Sequence, residues 1–174
     1  YYAPGAGEVA REAAQQSTAR AVKAGAVQKI VAALRARPAS MLAVGAARSG
    51  VRVMINIMLG DAAHKPLVAN LGASELVLAA MKAHRRDAIV QEPGLRFLHT
   101  ICSGADGDAT TKRLKRAMNA GALAAVAAAK QAHPRDNDVQ VAAVQVETLL
   151  NRAHAAAAAC RVYTSPSPRH RPRP

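Results

Sequence analysis

Apolar residues recur at helical spacing along most of the chain, and three helical segments begin in the same way. Each opens with Gly-Ala, at Gly25, Gly72 and Gly121. After each pair, apolar residues return every three or four positions, which is the period of a helix with one buried face. The glycines lie 47 and 49 residues apart. This spacing predicts a structural repeat of three copies, in which each unit buries its apolar face against its neighbours.

The second and third copies also continue alike, and each predicts a second long helix. Asp87 and Gln91 in the second copy correspond to Asp136 and Gln140 in the third. Apolar periodicity gives the bounds and the inward-facing residues of these helices. The first is predicted over Val90–Cys102 with Leu95, Leu98 and Ile101 inward, and the second over Val139–Asn151 with Val144, Leu149 and Leu150 inward.

The first copy matches the pattern less well. Its counterpart to the two long helices is Val44–Asn56, which carries Gly45 and Gly50, and glycine weakens a helix interior. A short helix is also predicted before each repeated glycine, so that the full unit has three helices. These segments are Ala62–Leu71, Thr110–Asn119 and, before the first copy, part of Glu8–Lys23. A glycine between two helices can adopt a positive φ, so we expect the three glycines to form sharp turns.

Composition excludes an all-β fold. About a quarter of the 174 residues are alanine and only 2% are aromatic, so small side chains must pack between helices. We find no apolar run of the roughly 20 residues that a membrane-spanning helix needs. The predicted domain is 1–160, followed by a basic tail over 161–174, whose Pro/Arg-rich composition predicts irregular structure. The chain begins with Tyr1 and not with Met, so we expect processing or a longer parent chain.

The block from Leu76 to His84, followed by Asp87 and by Val90, Gln91 and Glu92, resembles the armadillo repeats common in protist proteins. The resemblance covers roughly residues 15–155 and implies an all-α, right-handed α-solenoid of about three three-helix repeats. Two-helix repeats of the HEAT type are the nearest alternative. The resemblance also implies a protein-binding groove on the last helices of the repeats, around Arg96, Thr100, Gln145 and Leu149. Armadillo proteins of the importin-α type hold Trp and Asn at these positions, and that ladder is absent here.

Positive charge exceeds what a solvated scaffold needs, because 24 Lys and Arg face 11 Asp and Glu for a net charge of +13. We interpret three clusters as candidate contact residues. They are Arg85 and Arg86; Lys112, Arg113, Lys115 and Arg116; and Arg169, Arg171 and Arg173 in the tail. The charge is compatible with a merely solvated surface, with docking onto acidic protein surfaces, or with contact to RNA or DNA phosphates. Few aromatic residues are available for base stacking, and we expect Phe97 in the core.

Catalytic motifs are missing from the sequence. There is no HExxH, GxxxxGK[ST], GxSxG or GxGxxG pattern, and Cys102 and Cys160 are interpreted as small buried residues. We therefore predict a non-catalytic protein-protein interaction scaffold, a structural or accessory subunit docked in a larger multiprotein assembly, with no cofactor, metal or small-molecule substrate. The alternative is a nucleic-acid-contacting accessory subunit, for example of an organellar ribosome. A soluble or peripheral location inside the cell is expected, and an organelle, a cilium and the cytoplasm remain alternatives.

Overall fold

Nine α-helices and one 3₁₀ turn make up the part of the chain that the structure describes. The computed structural model describes residues 6–36, 41–105 and 107–164, and within these ranges it contains no strand. Side chains are described for 12–36, 45, 48–105, 107–153 and 155. The helices are α1 (Ala6–Lys23), α2 (Ala26–Ala36), α3 (Met41–Gly60), α4 (Lys65–Asn70), α5 (Ala73–Ala83), α6 (Ala88–Cys102), α7 (Gly107–Asn119), α8 (Ala122–Ala132) and α9 (Asn137–Thr164), with the 3₁₀ turn at Ala62–His64 before α4.

Left-handed glycines separate the first two helices of each predicted unit. Gly25, Gly72 and Gly121 have φ values of 80°, 77° and 90°, so the predicted sharp turns are confirmed. Glycine adopts this region freely, whereas a side chain would cost about 1–2 kcal/mol there. Each turn redirects the chain into α2, α5 or α8, and the same local signal therefore produces the same change of direction three times.

The second and third units also share their internal hydrogen bonds. The side-chain amide of Gln91 on α6 donates to the carbonyl oxygens of Met81 and His84, both at 2.9 Å, and so satisfies the end of α5. Forty-nine residues later, the amide of Gln140 makes the same two bonds to the end of α8, at 3.0 and 2.9 Å. Helix carbonyls at a C-terminus lack intrahelical partners, so these glutamines complete two helix ends in the same way. The sequence match between the two copies thus has a structural counterpart.

The long helices pack in two rows. In one row α6 lies between α3 and α9, and in the other α5 lies between α2 and α8. The buried core runs between the rows and consists mainly of valine, leucine, methionine and alanine. Phe97 on α6 is 0% exposed, which confirms its predicted place in the core. Because alanines fill much of the interface around α8, the helices of the third unit offer small side chains to their neighbours.

Glycines inside helices explain why the first copy looked irregular. The predicted helix Val44–Asn56 is the longer α3, which continues through both Gly45 and Gly50. A Cβ added at Gly50 would lie 2.9 Å from Cγ2 of Ile30 on α2, so this glycine permits close packing of α2 and α3. Gly94 on α6 has the same role, since a Cβ there would lie 2.6 Å from Sδ of Met81. Gly50 and Gly94 therefore allow close contact between helices and do not break the helices that contain them.

The predicted inward face of the last helix is partly wrong. Val144 on α9 is 51% exposed, Leu149 is half-buried and only Leu150 is fully buried. The side of α9 that packs inward instead carries Val139, Ala142, Ala143, Val146 and Leu150. The corresponding prediction for α6 is confirmed, because Leu95, Leu98 and Ile101 are all buried. Val144 is exposed because α9 is the last helix of its row among the described residues, with no helix on its outer side.

Two further features bear on the sequence predictions. Among the described helices, none is both long and apolar enough to cross a membrane. Cys102 is a free, buried thiol, as predicted, whereas the side chain of Cys160 lies outside the described residues. The predicted short helix 110–119 begins earlier, as α7 at Gly107, and the predicted helix 62–71 divides into a 3₁₀ turn and α4.

Candidate binding grooves

Four of the predicted basic residues line two adjoining depressions between α5 on one side and α7 and α8 on the other. We call them together the basic groove. Its two ends are cationic: Lys112, Lys115 and Arg116 line one end, and Lys82 and Arg85 line the other. Arg86 lies beyond this second end, in a depression around the turn between α5 and α6. Residues 75 and 85 are ten positions apart along α5 and its C-terminal turn, so their backbones lie about 15 Å apart at 1.5 Å per helical residue. The fold therefore brings Arg85 and Lys112, which belong to separate basic segments of the sequence, to the same surface.

The middle of the basic groove is apolar. It is a depression of about 520 Å³ that shares Glu75 and Ala120 with one cationic end and Lys82 and Arg85 with the other. Its walls are mostly aliphatic and small, and include Leu78 and Ala79 on α5 and Ala124, Ala125 and Ala128 on α8. The depression exists because α8 presents alanines along this side, where larger side chains would fill the space between the helices. Its volume falls in the range of sites that hold a ligand group or a side chain.

Glu75 marks the junction between the apolar middle and one cationic end. Its Oε1 accepts a hydrogen bond from Nε of Arg116, which ties α5 to α7. Its Oε2 is buried and has no hydrogen-bond partner among the described residues. The side chains of Glu75 and Arg116 are each 41% exposed, so this ion pair contributes little to stability. It does fix the direction of the Arg116 side chain.

The turn that carries Arg85 and Arg86 is held in place by the next unit. Nε2 of His133, at the end of α8, donates to the carbonyl oxygen of Arg85 at 3.0 Å. Asp87 then starts α6, its Oδ1 accepting from the backbone N–H of Ile89 at 3.0 Å. Both side chains, Arg85 and Arg86, remain exposed. The turn therefore presents two exposed cations from a backbone that is anchored on both sides.

Arg113 does not belong to the basic contact surface, which corrects the prediction for that residue. It is only 6% exposed, and its Nε donates to the carbonyl oxygen of Ile101 at 2.8 Å. Its Nη2 donates to Oγ1 of Thr110 at 2.9 Å. The reason is helical phase, because Leu114 and Ala117 occupy the same buried side of α7. Lys112 and Lys115, on the opposite side, are exposed as predicted.

Two buried cations meet at the C-terminus of α6. Nζ of Lys65, which is 7% exposed, donates to the carbonyl oxygen of Ser103 at 2.8 Å, close to the bond made by Arg113. The C-terminal end of a helix carries partial negative charge, which favours these two side chains. Both cations act on the neighbouring thiol of Cys102. Burial raises the pKa of this thiol to about 11, although the positive charges of Arg113 and Lys65 act to lower it. Cys102 is therefore a neutral packing residue, and both cations are structural.

Of the four residues predicted to line a groove on the last helices, the structure brings three together. Arg96, Thr100 and Gln145 line a depression of about 310 Å³ between α3, α6 and α9. Arg96 is exposed and pairs with Glu92 at 2.9 Å. Thr100 is 7% exposed, and its hydroxyl donates to the carbonyl oxygen of Arg96, so it offers little to a ligand. Leu149 is half-buried against the core and is not among the lining residues.

Sequence reasoning missed two components of the basic groove. Lys82 belongs to it, and its position on α5, three residues before Arg85, could have indicated this from the sequence. The apolar middle is formed in part by the alanine run of α8. From the sequence this run is interpreted as a buried segment, but Ala124 is exposed. Arg169, Arg171 and Arg173 lie outside the described residues. Within the described ranges, no three His, Cys, Asp or Glu side chains are placed to share a metal ion.

Comparison with family models, with curated proteins and with solved structures found no match to this chain.

Proposed function

We propose that this chain is a non-catalytic protein-interaction subunit that docks in a larger assembly and meets an acidic partner surface through the basic groove. One observation carries the proposal: Arg85, Lys112, Lys115 and Arg116 were predicted as contact residues in separate segments and line the adjoining depressions of the basic groove. Among the described residues that line the basic groove, Glu75 is the only carboxylate, and it pairs with Arg116. The remaining cations are thus available to a partner.

The proposed architecture is a right-handed α-solenoid of armadillo type with about three units. It is supported by the 49-residue equivalence of Gln91 and Gln140, by the three left-handed glycines and by the two rows of helices. In such repeat proteins each unit contacts only its neighbours, and the extended surface serves for binding. The groove around Arg96 and Gln145 is a second docking surface in this proposal. It is less basic, because Glu92 neutralises Arg96.

A nucleic-acid-contacting accessory subunit is the second candidate, and the exposed cations on α7 favour it. Lys112 and Lys115 are free to meet phosphates, which need no base-specific contact. Against this candidate, no aromatic side chain among the described residues lines the basic groove, and Phe97 is fully buried. Stacking on bases therefore has no support among the described side chains.

Isolation of the native protein at moderate salt separates the two candidates. The sample is divided, one half is treated with RNase and DNase, and the sedimentation of both halves is compared. We expect the particle to keep its size and its co-purifying proteins after nuclease treatment. Collapse of the particle on nuclease treatment would instead assign the cations to phosphates and overturn the docking proposal.

A further inference from the structure

We infer that the basic groove binds an acidic amphipathic helix, with an aliphatic side chain in the apolar middle and carboxylates at both cationic ends. This inference rests on the function proposed above and names the chemistry of the partner. A surface that recognised charge alone would need only the cations. The apolar depression of about 520 Å³ between them is the additional observation.

The shape of the groove favours a helix as the ligand. Its floor is formed by α5 and α8, which lie side by side, and a third helix packs well into the furrow between two neighbours. Alanines at 124, 125 and 128 let the backbone of a bound helix approach closely. Small residues at such a contact determine how near two helices can come, and larger anchors are then supplied by the partner.

The spacing of the charges fits three helical turns. The cationic ends are about 15 Å apart, and three turns of helix cover about 16 Å and bring residues i and i+11 to the same face. A partner with acidic residues at i and i+11 would place one carboxylate near Lys112 and Lys115 and the other near Lys82 and Arg85. Aliphatic residues at i+4 and i+7 would face Ala124 and Ala128.

A synthetic peptide tests the inference with the full chain. The probe is a fluorescein-labelled, 18-residue alanine-based helix with Glu at positions i and i+11, in its first and last turns, and Leu at positions i+4 and i+7. A second peptide replaces both Leu by Ser, and a fluorescein-labelled oligouridylate supplies phosphates without a helix. Fluorescence anisotropy gives the dissociation constant of each probe. We expect the Leu peptide to bind at least about tenfold more tightly than the Ser peptide, since an aliphatic side chain transferred out of water contributes about 1.5–3 kcal/mol.

Matched variants locate the binding. Ala128→Leu fills the middle of the groove and should weaken the Leu peptide about tenfold, whereas Ala127→Leu, at an exposed position on α8 outside the groove, should leave it unchanged. The double variant Lys82→Glu with Arg85→Glu should weaken it by about tenfold or more. Lys23→Glu with Lys29→Glu changes the net charge equally at exposed positions on α1 and α2, and should have a much smaller effect.

Four results would overturn the inference. They are equal binding of the Leu and Ser peptides, absence of binding by both peptides, equal loss in the groove and control variants, and competition of the Leu peptide by the oligouridylate at equal or lower concentration. Equal binding of the two peptides would leave acidic docking intact, because only the apolar anchor would then be refuted. Absence of binding by both peptides would overturn the inference, while the nuclease experiment would still decide the proposed function. The comparison of the two peptides needs no variant chain, so misfolding of a variant cannot obscure it.

Discussion

Leu95 on α6 and Val144 on α9 occupy the same position in two successive units, 49 residues apart, yet Leu95 is 0% exposed and Val144 is 51% exposed. The difference has a simple cause. Helix α6 is packed between α3 and α9, whereas no helix among the described residues lies on the outer side of α9. Ser74 and Leu123 repeat the relationship on α5 and α8, with 3% and 38% exposure. Equivalent residues are therefore buried in the second unit and exposed in the third, which is the last unit among the described residues.

The first prediction compares these two positions. Leu95→Ala should lower the free energy of unfolding by about 2–5 kcal/mol, because it removes buried methyl groups and leaves a cavity. Val144→Ala should change it by no more than about 0.5 kcal/mol, as at an ordinary surface site. Urea denaturation followed by circular dichroism gives both values. A similar loss in the two variants would mean that the outer side of α9 is buried in solution.

The second prediction concerns glycines inside helices. Gly94→Ala should destabilise the protein by about 1–3 kcal/mol, because its Cβ would press into Met81. Gly45→Ala on α3 should stabilise it by about 0.5–1 kcal/mol, because an added Cβ there meets no atom of the described residues within 4 Å and alanine favours a helix. Thermal unfolding of the two variants measures the difference. Stabilisation by Gly94→Ala would show that Met81 moves aside without cost.

The third prediction tests the glutamine that ends α5. Gln91→Met keeps most of the side-chain volume but removes both donors, and leaves the carbonyls of Met81 and His84 without these bonds. We expect a loss of about 1–3 kcal/mol in the free energy of unfolding, which is the usual cost of unpaired buried polar groups. Gln28→Met on α2, an exposed glutamine, is the matched control and should be nearly neutral. Equal effects at the two positions would show that the bonds to α5 contribute nothing specific.

The fourth prediction is a dependence of stability on alkaline pH. Burial raises the pKa of Cys102 from 9.0 to about 11, so the folded state retains a proton that the unfolded state releases. The stabilisation from this difference is fully present below about pH 9 and is lost as the pH rises to about 11, on the order of 2 kcal/mol in total. Denaturation of the parent and of Cys102→Ala across this range isolates the contribution. Parallel curves for the two proteins would contradict it.

The sequence was sufficient for features that depend on neighbouring residues in the chain. The left-handed turns at Gly72 and Gly121 were predictable because glycine between two helices has a local conformational reason, and the buried side of α6 followed from its period. The burial of Arg113 was also readable, since it lies beside Leu114 and Ala117 on α7. The exposure of Val144 was not, because α6 and α9 have similar periodicity and only packing distinguishes a middle helix from a last one.

The basic groove was predictable in composition but not in place. Arg85 and Lys112 are marked as basic by the sequence, but nothing local indicates that α5, α7 and α8 meet around a common depression. The predicted groove near Arg96 followed from the armadillo resemblance, and the pairing with Glu92 depends on a side-chain geometry that spacing alone does not determine. Long-range contacts of this kind cannot be predicted from apolar periodicity, because periodicity indicates only which side of a single helix is buried.

The shared bonds of Gln91 and Gln140 restrict which changes in length the chain can accept. An extra copy of 49 residues would bring its own left-handed glycine, helix-starting aspartate and helix-ending glutamine, each already in register with the partners it needs. An insertion of a few residues within α5 or α6 would rotate every later side chain by about 100° per residue and separate the glutamine from its carbonyls. Gene duplication is thus the kind of lengthening that this architecture absorbs most readily, and small insertions are confined to the turns.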